Sequence, residues 1–424
     1  MKLIKLVLIL SYLNLFAQPT WQVTPNIISN PNNQRFDDVF FLNENLGWAA
    51  NGYYASVYKT TDGGLNWTEQ VNEASLGGSF YFRNIEFLNQ NVGFLGTLNG
   101  KFFKTIDGGS NWVEVTNISP NPTAICGLDT VGSSTIYGCG AYFTPAHIIK
   151  STDSGNTWSF IDMSSYANAL VEVLFLDETT GFVSGRNNTG GLILKTTDGG
   201  SSWTEIYNTN NPGDYVWKLQ TLEGNNNIMF GSIEAAGLNT GKLIKSTDGG
   251  VNWNSYDAPE RVIQAVGFIT ENHGWMGGHT TGFYETLDGG QTWNNLNIGH
   301  NLNRIFIINS TTAYASGTTV YKYTNETLNI ETVKNTDKTH LDIKILENPI
   351  KEYLEFTINY KSDDNILIEL YDVTGKFIKQ LTRDIIPQNI VKAYAFDVSE
   401  LSSGSYIIDF HNNSGRSIKR FIKE

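Results

Sequence analysis

The chain has 424 residues, 17% of them charged and 12% aromatic, and a formal net charge of −13, which leaves apolar material for one large core and a smaller one. That acidity excludes general attachment to nucleic acid or anionic lipid, because both require basic surface. Plentiful glycine (41) and scarce proline (10) beside the aromatics suit many short strands joined by tight turns.

The first 17 residues read as a secretory leader. Lys2 and Lys5 supply the positive end, and the apolar run 6–16 is short for a membrane span. Cleavage after Ala17 would leave Gln18 as the first mature residue, and no cysteine follows to carry a lipid. The protein is therefore expected to pass through the periplasm and to be secreted or held at the outer cell surface.

From residue 18 to 324 the text repeats. One octet recurs six times, at 60–67 (TTDGGLNW), 105–112 (TIDGGSNW), 151–158 (STDSGNTW), 196–203 (TTDGGSSW), 246–253 (STDGGVNW) and 286–293 (TLDGGQTW). Its aspartates (Asp62, Asp107, Asp153, Asp198, Asp248, Asp288) are 45, 46, 45, 50 and 40 residues apart, and its tryptophans are Trp67, Trp112, Trp158, Trp203, Trp253 and Trp293. An apolar strand opens each unit and a Gly-aromatic strand follows, as at Gly47-Trp48 and Gly274-Trp275. A third strand enters the octet, usually through Lys (Lys59, Lys104, Lys150, Lys195, Lys245), and the Trp opens a fourth. Four short strands on a period near 45 are the spacing of a β-propeller blade. In the octet, the carboxylate can accept the loop's own N–H groups, glycine supplies positive φ, and the indole can wedge between blades.

A seventh unit, 304–323, stops without an octet. The segment beginning Trp21-Gln22-Val23 resembles the strands that follow Trp67 and Trp112, so an N-terminal strand is expected to complete that blade and close the ring, which removes exposed sheet edges. Residues 325–344 are polar and read as a linker. From 345 to 424, alternating apolar residues at 354–358, 366–370 and 406–410 indicate a small antiparallel β-sandwich. The expected fold is all-β: a seven-bladed propeller followed by that sandwich.

The octet resembles the Asp-box motif, S/T-x-D-x-G-x-x-W, shared by sialidases, sortilin-type receptors, xyloglucan-degrading propellers and photosystem II assembly-factor propellers, the last being the nearest in blade number and unit length. The resemblance implies that the six aspartates and six tryptophans are structural. In the tail, Asn348-Pro349, the YDVTGK turn at 371–376, the LSSGSY turn at 401–406 and the basic end resemble the type A C-terminal sorting domain of the type IX secretion system. That resemblance implies a Gram-negative host, the secretion machinery and a sorting peptidase as partners, and removal of the tail after the outer membrane is crossed.

The search for chemistry is sparse. Cys126 and Cys139 are placed symmetrically about Gly132-Ser133, so they could face each other across a hairpin as a disulfide; two free buried thiols are the other reading. The six histidines are scattered without paired ligand spacing, so no metal and no cofactor is expected. Arg35, Arg83, Arg261 and Arg304 all lie just before an innermost strand, which would gather them at the channel mouth as an anion or carboxylate site. Pairing with Asp37, Asp38 and Glu86 is the plainer alternative. Tyr53, Tyr54, Tyr142, Phe143 and Trp217 could stack on the ligand, although Trp217 suits the core. The reading that follows is an exported, monomeric, non-enzymatic binding or adhesion protein for an extracellular protein or glycan. A sialidase- or xyloglucanase-like hydrolase is the alternative, with Asp38, Glu86, Asp129, Glu172 and Asp214 as carboxylate candidates.

Overall fold

The computed structural model describes residues 18–30, 34–326, 328, 342–359, 364–372, 377–386, 391–412 and 415–424. The leader, most of the linker and the centre of the YDVTGK turn lie outside them. Among the described residues no helix is long and apolar enough to cross a membrane. The chain divides into two compact units, Met1–Leu328 and Asn329–Glu424.

In the first unit seven antiparallel four-stranded sheets follow one another. Their inner strands are Phe36–Phe41, Phe82–Phe87, Gly127–Val131, Ala169–Phe175, Tyr215–Leu222, Ile263–Phe268 and Arg304–Asn309. Each inner strand touches the next, and the seventh touches the first. That closed cycle is a seven-bladed propeller. The last blade takes its outer strand from the N-terminus: Thr20–Val23 pairs with Val320–Thr324, with Trp21 opposite Tyr323. Trp21 is buried there, stacked on Phe283 at 4.2 Å and edge-on to Trp275 at 5.5 Å.

The core is a series of seams between blades rather than one central mass. Trp67 clusters with Phe41 of its own blade and with Tyr314 and Val320 of the preceding one. Trp112 clusters with Phe87 of its own blade and with Phe40 and Trp48 of the first. The indole of each octet is thus the plate that one blade presses on its neighbour.

The second unit has a three-stranded sheet (Asp342–Ile345, Tyr353–Asn359, Val391–Asp397) and a four-stranded sheet (Phe377–Ile386, Asp364–Asp372, Gly404–Asn412, Gly415–Lys423). Period-two burial puts Leu354, Phe356 and Ile358 of one sheet into a core with Ile366, Ile368, Leu370, Ile408 and Phe410 of the other.

Candidate functional site

The six octets are consumed by their own turns. In each, the aspartate Oδ1 accepts the N–H of the residue four positions on (Asn66, Asn111, Thr157, Ser202, Asn252, Thr292) at 2.8–2.9 Å. That residue's side chain donates to Oδ2 at 2.6–2.8 Å. The leading hydroxyl donates to Oδ1 and accepts the N–H of the residue four on, as in Thr60 with Asp62 and Gly64. Gly63 and Gly64 stand at φ +70 and +87, where a Cβ would be strained. Hydrogen bonds from Ser202, Asn252 and Thr292 hold Asp198, Asp248 and Asp288 down at about 2. Each carboxylate is thus committed to closing its own turn.

The lysine before each octet reaches the following blade. Lys59, Lys150 and Lys195 donate to the carbonyls of Gly108, Gly199 and Gly249 in the next octet, at 3.0, 2.8 and 3.4 Å. Blade six is the exception: the position is Glu285, bonded to His273 at 2.9 Å and to the Trp275 indole at 3.1 Å. The seventh blade has no octet, so there is no turn carbonyl for a lysine to meet, and the charge at that joint is reversed.

A different set of residues faces the ring's axis. Five inner strands slip register just after they begin, between Phe36 and Asp38, Phe82 and Asn84, Leu170 and Glu172, Val216 and Lys218, and Ile263 and Ala265. Each slip leaves one residue outside the ladder: Asp37, Arg83, Val171, Trp217 or Gln264. Such bulges re-aim side chains, and here they assemble one end of the channel. Arg83 Nη1 donates to Asp37 Oδ1 at 2.5 Å and Arg35 Nε to the same oxygen at 3.2 Å. Asp37 and Arg83 are 1% and 5% exposed. The Arg83 guanidinium lies 5.5 Å above the Trp217 ring, whose N–H donates to Glu234 at 2.6 Å. Two guanidinium groups on one carboxylate leave a positive excess, and burial together with those arginines pushes His279 down to about 4.

Arg304 does not join them. Its register, opposite Ser316, matches Asp38 in the first blade rather than Asp37, so it sits one layer deeper. From there Nη1 meets Glu172 Oε1 at 3.3 Å on the fourth blade and Nε meets Asp38 Oδ1 at 3.4 Å on the first. Lys218 binds the other oxygen of Glu172 at 2.6 Å. This chain of ion pairs bars the channel, and a cavity of about 170 Å³ lined by Glu172, Lys218, Gln220, Arg304 and Phe306 lies against it. Arg261 is exposed and donates only to the carbonyl of Ala235, at 3.5 Å. The expected four-arginine ring is therefore one pair at the mouth, one residue in the bar and one on the surface. The aligned text shows that the four arginines are out of identical register, but not which partners each offset brings within reach.

The carboxylates weighed for hydrolysis are also engaged. Asp38 accepts the N–H of Ile85, Asp129 that of Phe175, and Asp214 that of Ala236. Glu86 accepts from Thr130. Burial raises Asp129 to about 7, and burial with Asp129 beside it raises Glu86 well above the carboxylate range. Cys126 and Cys139 are both buried, and they stand unbridged in this structure. Among the described residues the grouping with metal-ligand proximity is Glu369, Asp409 and His411 in the second unit, where Tyr371 already donates to Glu369 at 2.8 Å.

The rim of the mouth was only partly legible. Tyr53, Tyr54, Tyr142 and Phe143 are exposed, and Trp217 is buried. Arg186, which opens a second-to-third-strand loop but was not among the four arginines singled out, lies 4.3 Å from the Tyr215 ring; Tyr215 stacks on Trp217 at 5.1 Å and donates to the carbonyl of Tyr142. A ladder Arg186–Tyr215–Trp217–Arg83, two stacked rings between two guanidinium groups, thus runs from rim to mouth.

Comparison with known proteins places both units. Residues 17–159 match the photosynthesis system II assembly factor YCF48 family, and residues 344–424 match the secretion system C-terminal sorting domain. No curated protein sequence matches the chain significantly. Among solved structures, YCF48 bound to a D1 peptide superposes with TM-score 0.55 at 18% identity, over 72% of this chain and 97% of that one. PorZ, an essential surface component of the type IX secretion system of Porphyromonas gingivalis, gives 0.53 at 14%, over 94% of this chain and 60% of its own. An ancestral GH74 enzyme gives 0.52 at 12%, over 95% and 63%. These likenesses carry the fold. The sorting domain marks the chain for type IX secretion to the cell surface or medium.

Proposed function

We propose that this YCF48-like propeller, exported through its sorting domain, is a non-catalytic binding module whose ligand presents a carboxylate to Arg35 and Arg83 at the channel mouth. The reading is carried by the shared Asp37: two buried guanidinium groups converge on one carboxylate oxygen, leaving an excess of positive charge beneath an aromatic rim. Arginine forks suit bidentate recognition of a carboxylate, and the desolvated setting strengthens each bond. Tyr53, Tyr54, Tyr142 and Phe143 offer ring faces for the rest of the ligand.

A hydrolase reading finds less support. Catalysis on a glycoside needs two carboxylates across an open cleft, whereas Asp38 and Glu172 are tied to Arg304 and the other candidates accept backbone or hydroxyl donors. The test is a glycan and peptide array run beside a hydrolysis screen on the full chain and on the double variant Arg35→Gln/Arg83→Gln. Retention without turnover, falling at least tenfold in the variant, is expected; a tenfold loss corresponds to about 1.4 kcal/mol. Turnover of a glycan, or binding that ignores the double variant, would sink the proposal.

A further inference from the structure

The two cysteines carry none of the ion pairs at the mouth or in the channel bar, yet the backbone has joined them. Cys126 stands immediately before the inner strand Gly127–Val131, and its N–H donates to the Cys139 carbonyl at 2.6 Å. The next residue, Gly127, is the ladder partner of Cys139. Two consecutive residues opposite one form a bulge, at the position where other blades turn Asp37, Arg83 and Trp217 out of the ladder. An N–H···O=C bond that short keeps the two Cα atoms within about 6.5 Å of each other, inside the window of about 4.4–6.8 Å that a disulfide spans. A side chain at Gly127 would approach Cys139 Sγ to 3.0 Å, so the glycine keeps that side of the hairpin open for sulfur.

We propose that Cys126 and Cys139 form a disulfide site that is closed while the exported chain folds and is inaccessible to oxidants once folding is complete. Closure is an exchange with a periplasmic protein disulfide. One cysteine thiolate attacks a sulfur of that oxidant, giving a mixed disulfide and releasing the oxidant's first thiolate. The second cysteine thiolate then attacks the protein-side sulfur, forming the Cys126–Cys139 bond and releasing the other thiolate. Two electrons and two protons pass from the chain to the oxidant, which leaves as a dithiol. In the finished propeller both thiols are buried, Cys126 at 1% exposure and Cys139 at 0%. Burial pushes both above the ordinary thiol range, which suppresses the attacking thiolate. The redox state is thus set by the compartment in which the chain folds. It bears on the mouth directly, because Cys126 packs against Trp217 and Val171, and Trp217 lies under Arg83.

The experiment compares the full chain exported to an oxidising periplasm with the leaderless chain folded in a reducing cytosol. Each is denatured and alkylated with iodoacetamide before and after reduction, then weighed intact. The exported chain is expected to take no adduct before reduction and two after it. The cytosolic chain should take two at once, and its thiols should survive incubation of the native protein with glutathione disulfide. Two adducts on the unreduced exported chain would overturn the bridge; rapid loss of thiols from the native cytosolic chain would overturn the inaccessibility. Reduction should lower the melting temperature of the exported chain by a few degrees, and Cys139→Ser should match the reduced form and show one free thiol. Since thiol counts are read on unfolded wild-type chain, a misfolded variant leaves them intact, and they are independent of any ligand.

Discussion

Single carboxylates in this protein do opposite work according to where the chain sets them. The octet aspartates are exposed or half-buried and surrounded by donors, so the fold stabilises the charged form. Their contribution is in place above the ordinary aspartate pKa and is lost as pH falls through about 2 for Asp198, Asp248 and Asp288. Asp129 lies half-buried beside the buried Glu86 and is raised to about 7, so the fold favours its neutral form. Its share of stability is complete below the unfolded value of about 4 and is lost as pH rises through about 7. Asp129→Asn is therefore expected to raise the melting temperature at about pH 8, where it removes a half-buried charge, and to leave it nearly unchanged at about pH 4. Calorimetry across that range checks the sign, and a loss at alkaline pH would contradict it. The octet role was readable from residue types, since Asp, Gly and Trp at fixed spacing need no distant partner. The Asp129–Glu86 pairing was not, because the two residues lie in different blades and only the packing of the second blade on the third brings them together.

Among the elements, the N-terminal strand Thr20–Val23 has the most to lose. It completes the seventh sheet and inserts Trp21 against Trp275, Phe283 and Tyr323. Trp21→Ala is expected to cost about 3–5 kcal/mol as a large-to-small core change, read by denaturant titration. A loss below about 1 kcal/mol would mean that the ring does not depend on this closure. The strand was legible because its text echoes the strands after Trp67 and Trp112. The bulges in the inner strands were not legible. A bulge is a backbone accommodation to a crowded axis, and it comes from residue types as different as Asp37, Arg83 and Trp217. The Glu285 exception at blade six belongs here too: the missing seventh octet was visible, but its effect on the neighbouring joint emerges only when blades are laid side by side.

Across the whole molecule, Arg304 ties the first, fourth and seventh blades together through the channel. Arg304→Met is expected to cost about 3–5 kcal/mol, because Asp38 and Glu172 would be left as buried carboxylates short of a partner. The companion Glu172→Gln in the same chain should recover part of it, and failure of any recovery in a double-mutant cycle would show the pair to be uncoupled. Such cross-ring ion pairs also explain how an acidic protein tolerates Asp38, Glu86, Asp129 and Glu172 around one axis.

The amino-acid sequence by itself determined the blade, its number and its closure, together with the sorting domain, because each is written in local spacing that repeats or matches within a few residues. Tertiary structure alone decided which arginines meet. Arg35 and Arg83 share Asp37 while Arg304 bars the channel, for the reason that a one-residue shift in register, set by packing seven strands around an axis, moves a side chain from one layer to the next.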